Sequence, residues 1–156
     1  MSAVEERVVE FLKEKKWMIA TAESCTGGLI GAALVNVPGA SSVYSEGFIT
    51  YSDQAKRDLL GVKAETLAHF TAVSEETARE MAEGAANRAQ AQVAVASTGI
   101  AGPDGGTPEQ PVGLVYLACF LNGQTRVERY VFEGDRAAVR HQAMERALEM
   151  ILEADS

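Results

Sequence analysis

The chain has 156 residues, a length that suits one domain with a substantial buried core, so we expect residues 1–156 to form a single domain. Hydrophobic residues make up 47% and charged residues 23%, as in ordinary globular proteins. The net charge of −8 argues against general affinity for nucleic acid or anionic membranes, but it is compatible with one basic pocket for a small anion. No apolar run reaches the roughly 18 residues needed to span a bilayer, and the charged N-terminus is unlike a secretory signal.

The cysteines and histidines point to neither disulfides nor a metal site. Cys25 and Cys119 form no disulfide framework and have no metal-ligand spacing. His69 and His141 are isolated in the sequence, so a zinc site is not predicted. This cysteine usage indicates a reducing, cytoplasmic environment.

The first half of the chain alternates helical and strand patterns. The predicted elements are an amphipathic helix from Val4 into the lysine-rich 13–16, a buried strand at 17–22, a helix at 27–37 stopped by Pro38-Gly39, a strand within 43–51, and a short helix capped by Ser52 and ended by Gly61. This early alternation predicts parallel strands.

The second half contains a hairpin. Its predicted elements are a helix from Ser74, a strand at 93–97, an irregular connection at 99–111, strands at 114–121 and 124–132, and a final helix capped by Asp135. Asn122-Gly123 between the two strands is a strong type I′ turn signal, which adds an antiparallel pair. We therefore predict a three-layer α/β/α domain with a mixed, mostly parallel central sheet.

The segment TAESCTGG, residues 21–28, places hydroxyls, a thiol, a carboxylate and two glycines where a strand passes into a helix. Free backbone N–H groups from Cys25 through Gly28, together with the helix dipole, would favour an anion beside Ser24. The plainer alternative is that Ser24 or Thr26 only caps the helix. The pattern matches neither the Walker A loop nor the dinucleotide fingerprint.

Lys56 has the character of a base. It follows the Ser52 cap by about one turn, where the helix dipole and burial both lower a lysine pKa towards the neutral amine. A neutral lysine can accept a proton from serine without any histidine. The alternative for Lys56 is a solvated surface lysine. Tyr51, five residues earlier at the end of the predicted strand, is a second candidate, and the alternative for it is an amphipathic core residue. Cys25 is a competing nucleophile, but no histidine lies nearby in sequence to activate it.

Ser97-Thr98-Gly99-Ile100-Ala101-Gly102-Pro103 follows the third strand. The carboxyl ends of strands in an open α/β sheet form the binding crevice, so Ser24 and Thr98 are expected to converge. The alternative is a rigid surface turn. Arg136 and Arg140, near the start of the final helix, either bind phosphate or are solvated.

These segments, in this order, resemble the CinA C-terminal-domain family. The matching motifs cover nearly the whole chain and are TAESCTGGLIGAALVNVPGASSVYSEGFITYSDQAK, STGIAGPDGG, PVGLVYLA and GDRAAVR. The resemblance implies an α/β/α domain that commonly forms homodimers or larger assemblies. Characterised relatives are nicotinamide-nucleotide amidases, which convert nicotinamide mononucleotide and water to nicotinate mononucleotide and ammonia.

Carried over by motif, the resemblance makes Ser24 the nucleophile, Lys56 its basic partner and Tyr51 an auxiliary residue. It implies no cofactor and no catalytic metal. The residues it implies for binding the nucleotide are Cys25, Thr26, Gly27, Gly28, Thr98, Gly99, Ile100, Ala101, Gly102 and, more weakly, Arg140.

Many members of the family carry an additional N-terminal molybdopterin-binding-like domain linked to pyrophosphatase activity, and these 156 residues contain none. The sequence therefore favours a stand-alone amidase. Two alternatives stay open: another amide specificity, including the riboside without phosphate, and a catalytically silent nucleotide-binding or competence-associated interaction domain.

Overall fold

The computed structural model describes residues 2–154. Its helices and strands are α1 (Val4–Lys15), β1 (Ile19–Glu23), α2 (Leu29–Val35), β2 (Tyr44–Ile49), α3 (Asp53–Leu60), α4 (Ala64–Phe70), α5 (Glu75–Ala89), β3 (Val93–Gly99), β4 (Leu114–Leu121), β5 (Gln124–Val131) and α6 (Arg136–Ala154), with a 3₁₀ turn at Ala40–Ser42. Within the described residues the strands form one sheet in the order β2-β1-β3-β4-β5.

The sheet is mixed, as predicted. β1 pairs in parallel with β2 on one side and β3 on the other, whereas β4 is antiparallel to both β3 and β5. Four of the five strands in residues 2–154 therefore run in one direction. Glu23 at the end of β1 is in register with Ile49 on β2 and Ser97 on β3, so the residues after these strands emerge at one edge.

Two hydrophobic clusters cover the two faces of the sheet and make the three layers. On one face α1, α2 and α6 pack together, and on the other α5 packs against the sheet with α3 and α4 beside it. Strand β3 alternates between the faces: Val93 and Val95 belong to the first cluster, and Ala94 and Ala96 belong to the second. Small residues on the second face let the alanine-rich α5 lie close to the sheet.

A glycine brings α3 against α5. A Cβ atom placed on Gly84 of α5 would lie 1.9 Å from the backbone oxygen of Leu60, at the end of α3. Only glycine accommodates so close an approach of two backbones. This contact fixes the helix that carries Lys56.

The sequence prediction was wrong at the start of two elements and missed one helix. The helix expected from residue 27 begins at Leu29, because Gly27 and Gly28 have φ of +57° and +111°, outside the helical region. The strand expected from residue 17 begins at Ile19, and α4 was not predicted. The type I′ turn is confirmed, since Asn122 and Gly123 both have positive φ. Across residues 2–154 no helix combines the length and the apolar character needed to cross a membrane.

Candidate active site

A cleft of about 280 Å³ opens where β1 and β3 end. Several segments that are distant in sequence meet in it, including the turn after β1, α3, the connection after β3 and the start of α6. The lining residues are Ser24, Cys25, Tyr51, Lys56, Ala72, Val73, Thr98, Gly99, Ile100, Ala101, Gly102, Asp104, Gly105 and Arg136.

Ser24 and Lys56 contact each other inside this cleft. Helix α3 starts after Ser52, whose Oγ accepts the N–H of Ala55 at 3.0 Å, and this cap places Lys56 in the first turn. The Lys56 side chain is buried, with the residue only 1% exposed. Its Nζ donates to Ser24 Oγ at 3.0 Å and to the Thr50 carbonyl oxygen at 2.8 Å. The amine is thus held against the serine hydroxyl by a backbone acceptor.

The surroundings of Lys56 favour its neutral form. Burial lowers the pKa of the Lys56 amine, and the charge of Asp53 opposes this shift without cancelling it. A neutral amine at hydrogen-bond distance from a hydroxyl can accept its proton. The pair therefore has the geometry and the electrostatics of a nucleophile with its base.

The pKa of the neighbouring Cys25 thiol is shifted away from its reactive, ionised form. Burial raises the pKa of the Cys25 thiol to about 11, although the Ser97 hydroxyl and the charge of Arg140 act in the other direction. Because the thiolate is the reactive species, a thiol with this pKa is a poor nucleophile at neutral pH. Ser24 is the better candidate of the two.

Glu23 organises the turn that follows β1. Its carboxylate is buried, with Oε1 accepting from Thr26 Oγ1 at 2.6 Å and from the N–H groups of Gly28 and Ile30 at 3.1 and 3.0 Å. Oε2 accepts the N–H of Gly31 at 2.9 Å. The expectation that the N–H groups from Cys25 through Gly28 are free was therefore wrong for Gly28.

Gly27 also uses its N–H within the turn, donating to the Ser24 carbonyl oxygen at 3.1 Å. In the described part of the chain, the N–H groups of Cys25 and Thr26 are the ones in this segment that donate to no acceptor on another residue. The sequence signal for Glu23 was a carboxylate directly before a helix start, a position that favours capping.

The structure does not bring four of the predicted binding residues to the cleft: Thr26, Gly27, Gly28 and Arg140. Arg140 donates from Nε to the Cys25 carbonyl oxygen at 3.0 Å and from Nη2 to that of Thr26 at 2.9 Å. Thr26 is fully buried, with Oγ1 2.7 Å from Ser97 Oγ. That these four residues contact substrate stays a prediction, and the contacts of Arg140 and Thr26 support the turn that carries Ser24.

Arg136, rather than Arg140, lies at the cleft. Its Nη1 donates to the Gly102 carbonyl oxygen at 2.8 Å, and its Nη2 reaches the Tyr51 hydroxyl at 3.4 Å. Tyr51 lies at the cleft with 66% of its surface exposed, so it is no core residue.

Sequence reasoning missed the segment containing Ala72 and Val73. The Ala72 carbonyl oxygen accepts from Thr98 Oγ1 at 2.7 Å, and that of Val73 accepts from Gln110 Nε2 at 2.7 Å. These side chain–backbone contacts leave no local sequence pattern that could have revealed them. Asp104 and Gly105 were missed as well, although they lie in the long connection.

A known protein family and several solved structures match this chain over almost its whole length. The family model of the CinA C-terminal domain matches residues 1–154. A competence/damage inducible protein from Agrobacterium tumefaciens superposes with a TM-score of 0.95 at 45% identity, covering 98% of this chain and 94% of the other. A CinA superfamily protein from Klebsiella pneumoniae gives a TM-score of 0.93 at 42% identity, covering 96% and 94%.

The curated relatives are longer proteins. A CinA-like protein from Kosmotoga olearia is 52% identical over 152 residues, which are 97% of this chain but 37% of that protein. The chain thus spans about a third of the length of the curated relatives it matches. The matching sequence motifs, the fold and the family model agree, and the chain belongs to the CinA C-terminal domain family.

Proposed function

We propose that this domain hydrolyses the carboxamide of nicotinamide mononucleotide, giving nicotinate mononucleotide and ammonia. The observation that carries the proposal is the 3.0 Å separation between Ser24 Oγ and the Nζ atom of the buried Lys56. The nicotinamide nucleotide comes from the family resemblance, and a cleft of about 280 Å³ suits a small-molecule substrate.

The first chemical step is attack by serine. Neutral Lys56 takes the Ser24 proton while Oγ bonds to the carboxamide carbon and the carbonyl electrons move to oxygen. The Thr50 carbonyl oxygen keeps one Lys56 N–H engaged, which leaves the nitrogen lone pair for the serine proton. When the intermediate collapses, the ammonium of Lys56 returns a proton to nitrogen, the C–N bond breaks and ammonia leaves.

The second step releases the acid. Water attacks the Ser24 ester and loses its proton to Lys56, and the serine oxygen leaves with that proton. The carboxylic acid that forms loses its proton to solvent and leaves as a carboxylate, and the enzyme returns to its starting state. Both steps need the same amine as base and then as acid, which an arginine could not provide because its guanidinium stays protonated.

The developing oxyanion needs hydrogen-bond donors. The backbone N–H group of Cys25 follows the nucleophile directly, Cys25 lines the cleft, and this N–H donates to no other described residue. We assign the oxyanion to it. The Ser24 carbonyl oxygen lies in the same peptide plane as this N–H and accepts the Gly27 N–H at 3.1 Å, which supports the assignment because it fixes the orientation of that plane.

The test is ammonia release from nicotinamide mononucleotide by the purified chain, with folding checked by circular dichroism. We expect Ser24→Ala and Lys56→Ala each to lower kcat by about 10³-fold or more, since removing a nucleophile or its base removes the chemical step. Cys25→Ala is the matched control at the neighbouring position and should retain most of the activity.

Lys56→Arg separates a base from a simple cation. Single-turnover rates should stay as low as in Lys56→Ala, while equilibrium binding of substrate changes little. Near-normal chemistry in the arginine variant would refute the general-base role. Tight nucleotide binding by a folded wild-type chain that releases no ammonia would instead support the catalytically silent domain.

A further inference from the structure

We infer that Arg136 and the glycine-rich segment 101–105 form an anion subsite at the mouth of the cleft, which takes the phosphate monoester of the substrate. This inference rests on the proposed function for the identity of the nucleotide. It assigns the phosphate to a place that differs from the turn after Ser24.

The N–H groups at the start of α2 are already occupied. The Glu23 carboxylate accepts the N–H groups of Gly28, Ile30 and Gly31, so the start of α2 holds the protein's own anion. A phosphate at that helix start would have to displace a buried carboxylate and would be repelled by it. The N–H groups at the start of α2 are therefore not available to a substrate phosphate.

The other helix starts near the cleft are also capped. Asp135 Oδ1 accepts the N–H of Ala138 at the start of α6, at 2.9 Å. Ser52 Oγ caps α3 in the same way. Lys56 is buried, and its Nζ atom is already engaged by Ser24 Oγ and the Thr50 carbonyl oxygen. These facts leave Arg136 as the cation that lines the cleft with its charge available.

The guanidinium of Arg136 makes two hydrogen bonds to other described residues. It makes one short hydrogen bond, to the Gly102 carbonyl oxygen at 2.8 Å, and one long contact, to the Tyr51 hydroxyl at 3.4 Å. Within residues 2–154 no carboxylate forms an ion pair with it. A planar guanidinium has five N–H donors, so several remain for the oxygens of a phosphate.

The segment beside Arg136 contributes backbone donors. Ala101, Gly102, Asp104 and Gly105 line the cleft, and in the described part of the chain the N–H groups of these four residues donate to no protein acceptor. Gly102 and Gly105 have φ of +84° and +92°, so the backbone turns without side chains that would keep a ligand away. Open N–H groups next to a guanidinium form an anion-binding concavity.

Asp104 lies on the same wall, and its carboxylate opposes an anion. A carboxylate suits the hydroxyl groups of a sugar, which donate hydrogen bonds to it. Ser24, Tyr51 and Arg136 line one continuous cleft, so an anion held at Arg136 shares that space with the reacting carboxamide.

The experiment measures binding without turnover. Isothermal titration of the purified Ser24→Ala chain gives the Kd of nicotinamide mononucleotide and of nicotinamide riboside, which differ only by the phosphate. The measured quantity is the ratio of the riboside Kd to the nucleotide Kd. Arg136→Gln removes the positive charge, and Arg136→Lys keeps the charge but lacks the planar guanidinium group. Arg88→Gln, at an exposed position on α5, is the matched control.

We expect the ratio to be about 10–100 in the Ser24→Ala background and in the Arg88→Gln control. Arg136→Gln should lower it to within about threefold of unity, with Arg136→Lys between the two. The inference is overturned if Arg136→Gln preserves the ratio, if the ratio is near unity from the start, or if neither compound binds. Arg136-dependent discrimination in a chain whose wild type releases no ammonia would uphold the subsite while the proposed amidase activity fails.

Discussion

Replacing Glu23 with glutamine tests whether one buried carboxylate organises the nucleophile turn. Oε1 accepts three hydrogen bonds and Oε2 accepts one, from Gly31 N–H. A glutamine oxygen at the Oε1 position can keep the first three, but its NH₂ group then faces the Gly31 N–H, donor against donor. The reverse orientation loses three bonds, so the substitution leaves at least one buried donor unpaired.

The magnitude follows from these contacts. An unpaired buried N–H costs about 1–3 kcal/mol, and the remaining bonds weaken because a neutral amide replaces a carboxylate. Loss of the anion at the start of α2 adds about 0.3–1 kcal/mol. Relief from burying a charge offsets part of this loss. We expect Glu23→Gln to lower the free energy of unfolding by about 2–4 kcal/mol, or Tm by about 4–16 °C for a chain of this size.

Urea and thermal unfolding followed by circular dichroism measure this change. Glu46→Gln is the matched control, because Glu46 is exposed on β2 and should change the free energy of unfolding by no more than about 0.5 kcal/mol. Glu23→Gln should also reduce kcat, since Ser24 follows directly in the chain. If Glu23→Gln is as stable as the control, the carboxylate does not organise the turn and the reasoning fails.

Three further predictions concern the active site and the core. The kcat/KM for amide hydrolysis should rise with pH along a limb centred below 10.5, because burial lowers the pKa of Lys56 and only the neutral amine accepts the serine proton. A kcat/KM that falls with rising pH over this range would contradict the prediction. Iodoacetamide should label Cys25 of the native protein slowly at neutral pH, since its thiol has a pKa of about 11, and mass spectrometry showing rapid labelling would count against that environment. Gly84→Ala should destabilise the fold by about 2–4 kcal/mol in urea unfolding, because the added methyl group would meet the backbone of Leu60. At an open helix position the same substitution would stabilise the protein by about 1 kcal/mol. A stabilised variant would therefore disprove the close contact with Leu60. The exposed Asn87→Ala on the same helix is its control.

Local patterns predicted most of the fold because each depends on neighbours in the chain. The Ser52 and Ser74 caps were visible as hydroxyls before helical patterns, and both accept the expected N–H group. Helix α4 lacked such a signal: Lys63 precedes it and makes no side-chain cap. Its stability depends on packing against α5, which no local pattern encodes.

The site was predictable to the extent that strand ends determine it. Parallel strands β1 and β3 in register place Ser24 and Thr98 at one edge, as the sequence interpretation required. The roles of Arg136 and Arg140 could not be separated, since they lie four residues apart on one helix. Positions four apart lie on the same face of a helix, about one turn from each other, so which arginine lies at the cleft depends on where α6 begins relative to the strand ends. That placement is set by tertiary packing.

The two bonds from Arg140 to the nucleophile turn have a consequence for protein synthesis. The turn is translated well before the arginine that holds it, because the bond to the Cys25 carbonyl oxygen spans 115 residues. At about 5–20 residues per second, the arginine is translated about 6–23 s after the cysteine it holds. During that interval the nascent chain carries Ser24 without its final support. The turn therefore reaches its mature arrangement only when α6 has emerged and docked, so nascent chains that end before Arg140 should lack the assembled site.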